Sequence, residues 1–78
     1  MPALYVLDVP EFAPIIRALT AKSLRAVRAG GYVRLSSDRA IDLARSEVTM
    51  PDAVWFGFAV GGIEGRITRH DVDGFRLE

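Results

Sequence analysis

The stretch Ala53-Val-Trp-Phe-Gly-Phe-Ala-Val60, followed by Gly61-Gly62, Ile63-Glu-Gly-Arg-Ile-Thr-Arg-His70, Asp71-Val-Asp-Gly74 and Phe75-Arg-Leu-Glu78, decides how the whole chain is read. Val54, Phe56, Phe58 and Val60 alternate with Ala53, Trp55, Gly57 and Ala59, the period-two pattern of a half-buried strand. Gly61-Gly62 and Asp73-Gly74 fall where hairpins reverse direction. The pattern predicts a three-strand antiparallel meander that turns Phe56, Phe58 and Ile67 to the core. Trp55, the only Trp, and His70, the only His, then stand with Arg66 and Arg76 on the opposite face.

Upstream, Thr49-Met-Pro-Asp52 reads as a connection, because Pro51 cannot donate to a central ladder. Residues 39–48 fit two templates. As a strand they place Ile41 and Leu43 on one face, across a hairpin from Val33 and Leu35. As a short helix they align Ile41, Ala44 and Val48, with Ser37 as cap. The hairpin is the preferred reading. Tyr32-Val-Arg-Leu35 is a strand followed by the turn former Ser36-Ser37-Asp38. From Phe12 to Ala29 the residues Phe12, Ile15, Ile16, Leu19, Ser23, Ala26 and Val27 cluster at helical spacing, and Gly30-Gly31 reads as the left-handed C-cap. Asp8, Pro10 and Glu11 supply helix-start chemistry, while Pro14 falls near the first turn. Ala3-Leu-Tyr-Val-Leu7 lacks polar alternation, as suits a mid-sheet strand.

These elements predict a single α+β domain over residues 1–78. One long helix, residues 10–29, packs its Phe12/Ile16/Leu19/Val27 face on a mainly antiparallel sheet of five or six strands. The order is β-α-β-β-β-β-β, with residues 39–44 as strand or short helix.

With 78 residues the chain forms one modest core, and domains of this size often need a disulfide, a metal or self-association in addition. Cysteine is absent and a lone His offers no metal-ligand spacing, which leaves oligomerisation. The apolar runs are too short to span a bilayer and no basic leader precedes them, so a cytoplasmic address is expected by default, with no membrane partner. Lys22 is the only lysine among ten basic residues, a bias associated with GC-rich bacterial genomes. Formal net charge is zero, so no overall field recruits nucleic acid. Charge is uneven, however: no acid occurs from Phe12 to Ser37, a span that holds Arg17, Lys22, Arg25, Arg28 and Arg34.

No motif nominates catalysis or a cofactor. The glycines at 57, 61, 62 and 65 lie between predicted strands rather than before a helix, so they read as turn and bulge positions, not a phosphate loop. Asp71-Val-Asp-Gly74 lacks the later ligands of a calcium loop and reads as a β-turn. His70 would need a nucleophile and an orienting carboxylate, and Asp71, its strand neighbour, points to the other face; an exposed His beside a turn follows. The leading expectation is therefore a non-enzymatic interaction module, a homo-oligomer or a binder of a protein partner. It would act through Trp55, Arg66, His70 and Arg76 or through an exposed sheet edge; Trp55 capping the core edge is the plainer alternative. A nucleic-acid module using Arg17, Lys22, Arg25, Arg28 and Arg34 is the second reading. A ligand-binding or catalytic accessory subunit, with His70 and Arg66 lining a pocket between protomers, is the third.

Overall fold

The computed structural model describes residues 1–78 as an α+β domain with two antiparallel sheets. Strand β1 (Ala3–Leu7) leads through a short 3-10 turn, Pro10–Phe12, into helix α1 (Ala13–Thr20). Strands β2 (Arg25–Ala29), β3 (Tyr32–Ser36) and β4 (Ile41–Ala44) follow, then a 3-10 turn, Arg45–Glu47, and helix α2 (Asp52–Gly57). Strands β5 (Ile63–Glu64), β6 (Ile67–His70) and β7 (Gly74–Leu77) complete the chain. The first sheet has the order β2-β3-β1-β5 and the second β4-β7-β6.

The helix predicted over 10–29 is thus confined to Ala13–Thr20 after a 3-10 turn, and its last five residues, 25–29, are a strand. Ser23 sits at φ 67°, a left-handed conformation that ends helical propagation just after Thr20. Gly30 and Gly31 have φ of 58° and 85°, as a two-residue type I′ hairpin turn requires, so they join β2 to β3 rather than cap a helix. On α1, Ile15 and Leu19 are buried, while Ile16 and, from the preceding 3-10 turn, Phe12 pack partly against the core. Val27, expected among them, is exposed on β2.

The predicted strand over 53–60 is helix α2 with its trailing turn. Pro51 is extended and its carbonyl accepts the N–H groups of Val54 and Trp55, which starts the first turn. Burial then follows a spacing of three: Trp55 and Phe58 are buried, whereas Phe56 and Val60 are exposed. Of the side expected to face the core, Phe58 is buried as expected, whereas Phe56 and Val60 point outward. The meander reduces to one hairpin, β6–β7, because β5 leaves it to pair with β1 in the other sheet. Strand β4 also departs from expectation. Ile41 and Leu43 do share a buried face, but their partners are Leu77 and Phe75 of β7, not Val33 and Leu35. β3 already has β2 and β1 on its two sides. Residues after Ala44 take the helical alternative only as a single 3-10 turn, in which Glu47 accepts the Ala44 N–H at 2.7 Å. Strand β1 lies mid-sheet, as its unbroken apolar run implies.

One core serves both sheets. Leu4, Val6, Val33 and Leu35 enter it from the first sheet, and Ile41, Leu43, Phe75 and Leu77 from the second. Ile15, Leu19, Trp55, Phe58 and Val48 fill the space between. Two glycines are fixed by close approach. A Cβ on Gly61 would lie 2.3 Å from the Tyr5 carbonyl oxygen, and one on Gly65, at φ 120°, would lie 2.4 Å from that of Glu78.

Candidate functional site

The four residues chosen from sequence as an interaction face do not form one. Trp55 is wholly buried: its Nε1–H donates to the Asp71 carbonyl at 2.8 Å, and the Arg45 guanidinium lies 5.4 Å from its ring centre. A β-bulge between Ile67 and Arg69 puts Ile67 and His70 on the same side of β6, opposite Leu77 and Phe75, so the simple alternation that paired His70 with Arg66 fails. His70 is accordingly half-buried rather than exposed. Its ring lies 5.1–5.6 Å from those of Trp55, Phe56, Phe58 and Phe75. Its Nε2, 3.1 Å from the Trp55 carbonyl oxygen, carries the hydrogen in this contact, because a carbonyl only accepts. Arg66 is exposed and its backbone exchanges two hydrogen bonds with Glu78. Arg76 belongs to a polar ladder: it reaches Asp42 at 2.5 Å and Glu78 at 2.9 Å, and Glu78 accepts the Thr68 hydroxyl at 3.0 Å. Arg76 beside it, then Thr68, hold the Glu78 carboxyl below its usual range.

The ladder crosses β4, β7 and β6, and the first sheet carries a counterpart. Arg34 of β3 pairs with Glu64 of β5 at 3.1 Å, and Tyr5 of the intervening β1 donates its hydroxyl to the same carboxylate at 2.8 Å. Hydrogen bonds from Arg34, then Tyr5, lower the Glu64 pKa, and those to Glu64, then Tyr5, raise that of Arg34. These charges are therefore already partnered within the chain.

The five cations of the nucleic-acid reading lie on no common helix face. Arg17 is on α1, Lys22 in the α1–β2 connection, Arg25 and Arg28 on β2, and Arg34 on β3. Arg28 is ion-paired with Asp8, and Lys22 with Glu47 at 2.9 Å. Lys22, Arg25 and Arg34 do meet, around a cleft that Arg39 also lines. Arg39 escaped the sequence reading because its position depends on the Ser37–Ala40 turn, where its N–H donates to the Ser37 hydroxyl oxygen.

Sheet edges offer the other candidate. β5 has only two residues, β6 is bulged, and β4 has four residues and runs directly into a 3-10 turn. β2 is different: five residues in unbroken register with β3, every one exposed, without proline or bulge. In a two-residue hairpin the residues flanking the turn exchange hydrogen bonds, so Ala29, Val27 and Arg25 direct their backbone groups to β3. Ala26 and Arg28 direct theirs outward, as free donors and acceptors. Among family models, curated proteins and solved structures, no match to this chain is found.

Proposed function

We propose that this chain is a small non-enzymatic interaction module that self-associates through β2. The observation that carries the reading is the exposed, regular edge from Arg25 to Ala29, beside sheets whose outer charges are largely paired within the chain. A two-fold antiparallel pairing centred on Val27 matches the pattern of free backbone groups. It sets Ala26 opposite Arg28 of the second copy as a hydrogen-bonded pair, twice over, and Val27 opposite Val27 at the closer, non-hydrogen-bonded spacing. In this register each arginine of β2 faces an alanine, Arg25 against Ala29 and Arg28 against Ala26, so like charges are not apposed directly. A modest core without disulfides gives such an interface a stabilising role as well.

The test is Ala26→Pro. Its N–H points outward, so proline removes an edge donor without breaking a β2–β3 bond. Light scattering after gel filtration is expected to show a wild-type dimer that strengthens with concentration. The variant should be a monomer with unchanged far-UV circular dichroism. A wild-type monomer at every concentration, or a dimer unaffected by Ala26→Pro, refutes the edge reading.

A further inference from the structure

We infer that the cleft between the start of β2 and the β3–β4 turn is a binding site for a small phosphate-bearing anion. Its volume is about 540 Å³ and Met1 is the one apolar residue among the nine that line it. A cleft of this lining cannot recognise a ligand by apolar burial, the usual basis of small-molecule sites, so selection must rest on charge and hydrogen bonding. Lys22, Arg25, Arg34 and Arg39 line it with Asp38 as the one carboxylate, and because Lys22 and Arg34 are each paired with an acid outside the lining, the unpaired positive charge is that of Arg25 and Arg39.

The four cations differ in availability. Lys22 and Arg34 are held by Glu47 and Glu64, acids that do not line the cleft, and these ion pairs fix the two side chains at its wall. Arg25 and Arg39 have no acidic partner. Guanidinium forks meet phosphate oxygens in a planar, two-bond geometry, and the Ser23, Ser36 and Ser37 hydroxyls in the same wall add neutral donors. No aromatic side chain lines the cleft, so the stacking platform on which single-stranded bases rest is missing. This favours a compact phosphorylated molecule over a nucleic-acid strand. The site shares Arg25 with the β2 edge, but every residue that lines it comes from one copy of the chain, so it does not depend on dimer formation.

The probe is inorganic tripolyphosphate, titrated into the full chain at physiological salt and followed by calorimetry and by backbone amide shifts. Saturable binding is expected, with shifts centred on Arg25, Ser36, Ser37 and Arg39. The Arg25→Ala/Arg39→Ala double variant should bind roughly tenfold or more weakly, since it removes the two cleft cations that have no acidic partner and their charged hydrogen bonds to the anion. Asp38→Asn should bind more tightly. Arg17→Ala and Arg66→Ala remove arginines outside the cleft and should bind as the wild type does, as should the edge variant Ala26→Pro. Absence of saturable binding overturns the inference, and so does equal weakening by Arg17→Ala, which would indicate diffuse charge. Citrate binding as tightly as tripolyphosphate overturns the phosphate assignment. An oligothymidylate that binds more tightly than tripolyphosphate overturns the small-ligand assignment in favour of a nucleic-acid backbone.

Discussion

Trp55 is held on several sides at once, by Phe58 at 5.3 Å between ring centres, by the edge-on His70 ring, by the Arg45 guanidinium and by the Asp71 carbonyl. Its neighbour Phe56 keeps 44% of its surface in water and contacts the outer side of His70. A strand over 53–60 would give these two residues the opposite burial, so their mutational costs discriminate sharply. Trp55→Ala should lose about 3–5 kcal/mol, a large-to-small change in a closed core. That is comparable to the whole stability of a domain this small, so far-UV circular dichroism should show an unfolded or barely folded chain. Trp55→Phe should unfold at a lower urea midpoint but stay cooperative, because it leaves the Asp71 carbonyl without its indole donor. Phe56→Ala should cost less than either. A larger cost at Phe56 than at Trp55 would restore the strand and its buried Phe56/Phe58 face.

At the scale of elements, the α1–β2 connection contains the one non-glycine residue with positive φ, Ser23. A left-handed backbone costs an L-residue roughly 1–2 kcal/mol, while glycine gives back about 0.5–1 kcal/mol in unfolded-chain freedom. Ser23→Gly should therefore raise stability by about 0.5 kcal/mol, read as a higher urea midpoint at unchanged slope. A loss of stability would mean that the Ser23 hydroxyl contributes more than the backbone strain removes. The same connection marks what the sequence leaves hidden. The apolar spacing of α1 continues by coincidence through Ala26 and Val27, although neither packs in the core, and β2, exposed throughout, has no burial pattern to advertise itself. The flanked Gly30-Gly31 pair was the available sign of a hairpin. Over 53–60 the apolar run satisfies periods of two and three alike, and the Pro51-Asp52 start was the feature able to separate them. Elements bounded by unambiguous turns, such as β1, β3 and the Asp71–Gly74 turn, were legible. Of the candidate sites, an exposed sheet edge was foreseeable in kind but not in place. The cleft was not, because it gathers residues separated by up to 38 positions, from Met1 to Arg39, through pairings that local pattern does not encode.

Across the whole molecule, each sheet is tied on its outer side by a polar ladder over three strands, Arg34–Tyr5–Glu64 in one and Asp42–Arg76–Glu78–Thr68 in the other. Lys22–Glu47 ties the α1–β2 connection to the turn after β4, and Arg69–Asp71 closes the β6–β7 turn. Four carboxylates in these contacts, Glu47, Glu64, Asp71 and Glu78, titrate below their ordinary range. Arg34 and then Tyr5 lower Glu64; Lys22 and the Ala44 N–H lower Glu47. Arg69, with the Asp73 and Gly74 N–H groups, lowers Asp71; Arg76 and Thr68 lower Glu78. A carboxyl with a depressed folded pKa binds its proton more weakly in the folded state than in the unfolded chain. Its stabilisation is therefore complete above the unfolded carboxylate range and is lost as pH falls through the folded pKa. Thermal unfolding should show a nearly flat midpoint around neutrality and a decline below about pH 4 as these acids protonate in turn. Each contact is solvent-exposed, so each part of the decline should be small and should shrink further with added salt. Arg34→Ala isolates one of them. It should lower the melting midpoint at neutral pH, where Glu64 is ionised in both proteins and only the wild type pairs it. The difference should narrow at acid pH, where Glu64 is protonated in both. A gap between the two midpoints that stays constant from neutral to acid pH would show that Arg34 stabilises the sheet through packing on Tyr5 rather than through the Glu64 charge.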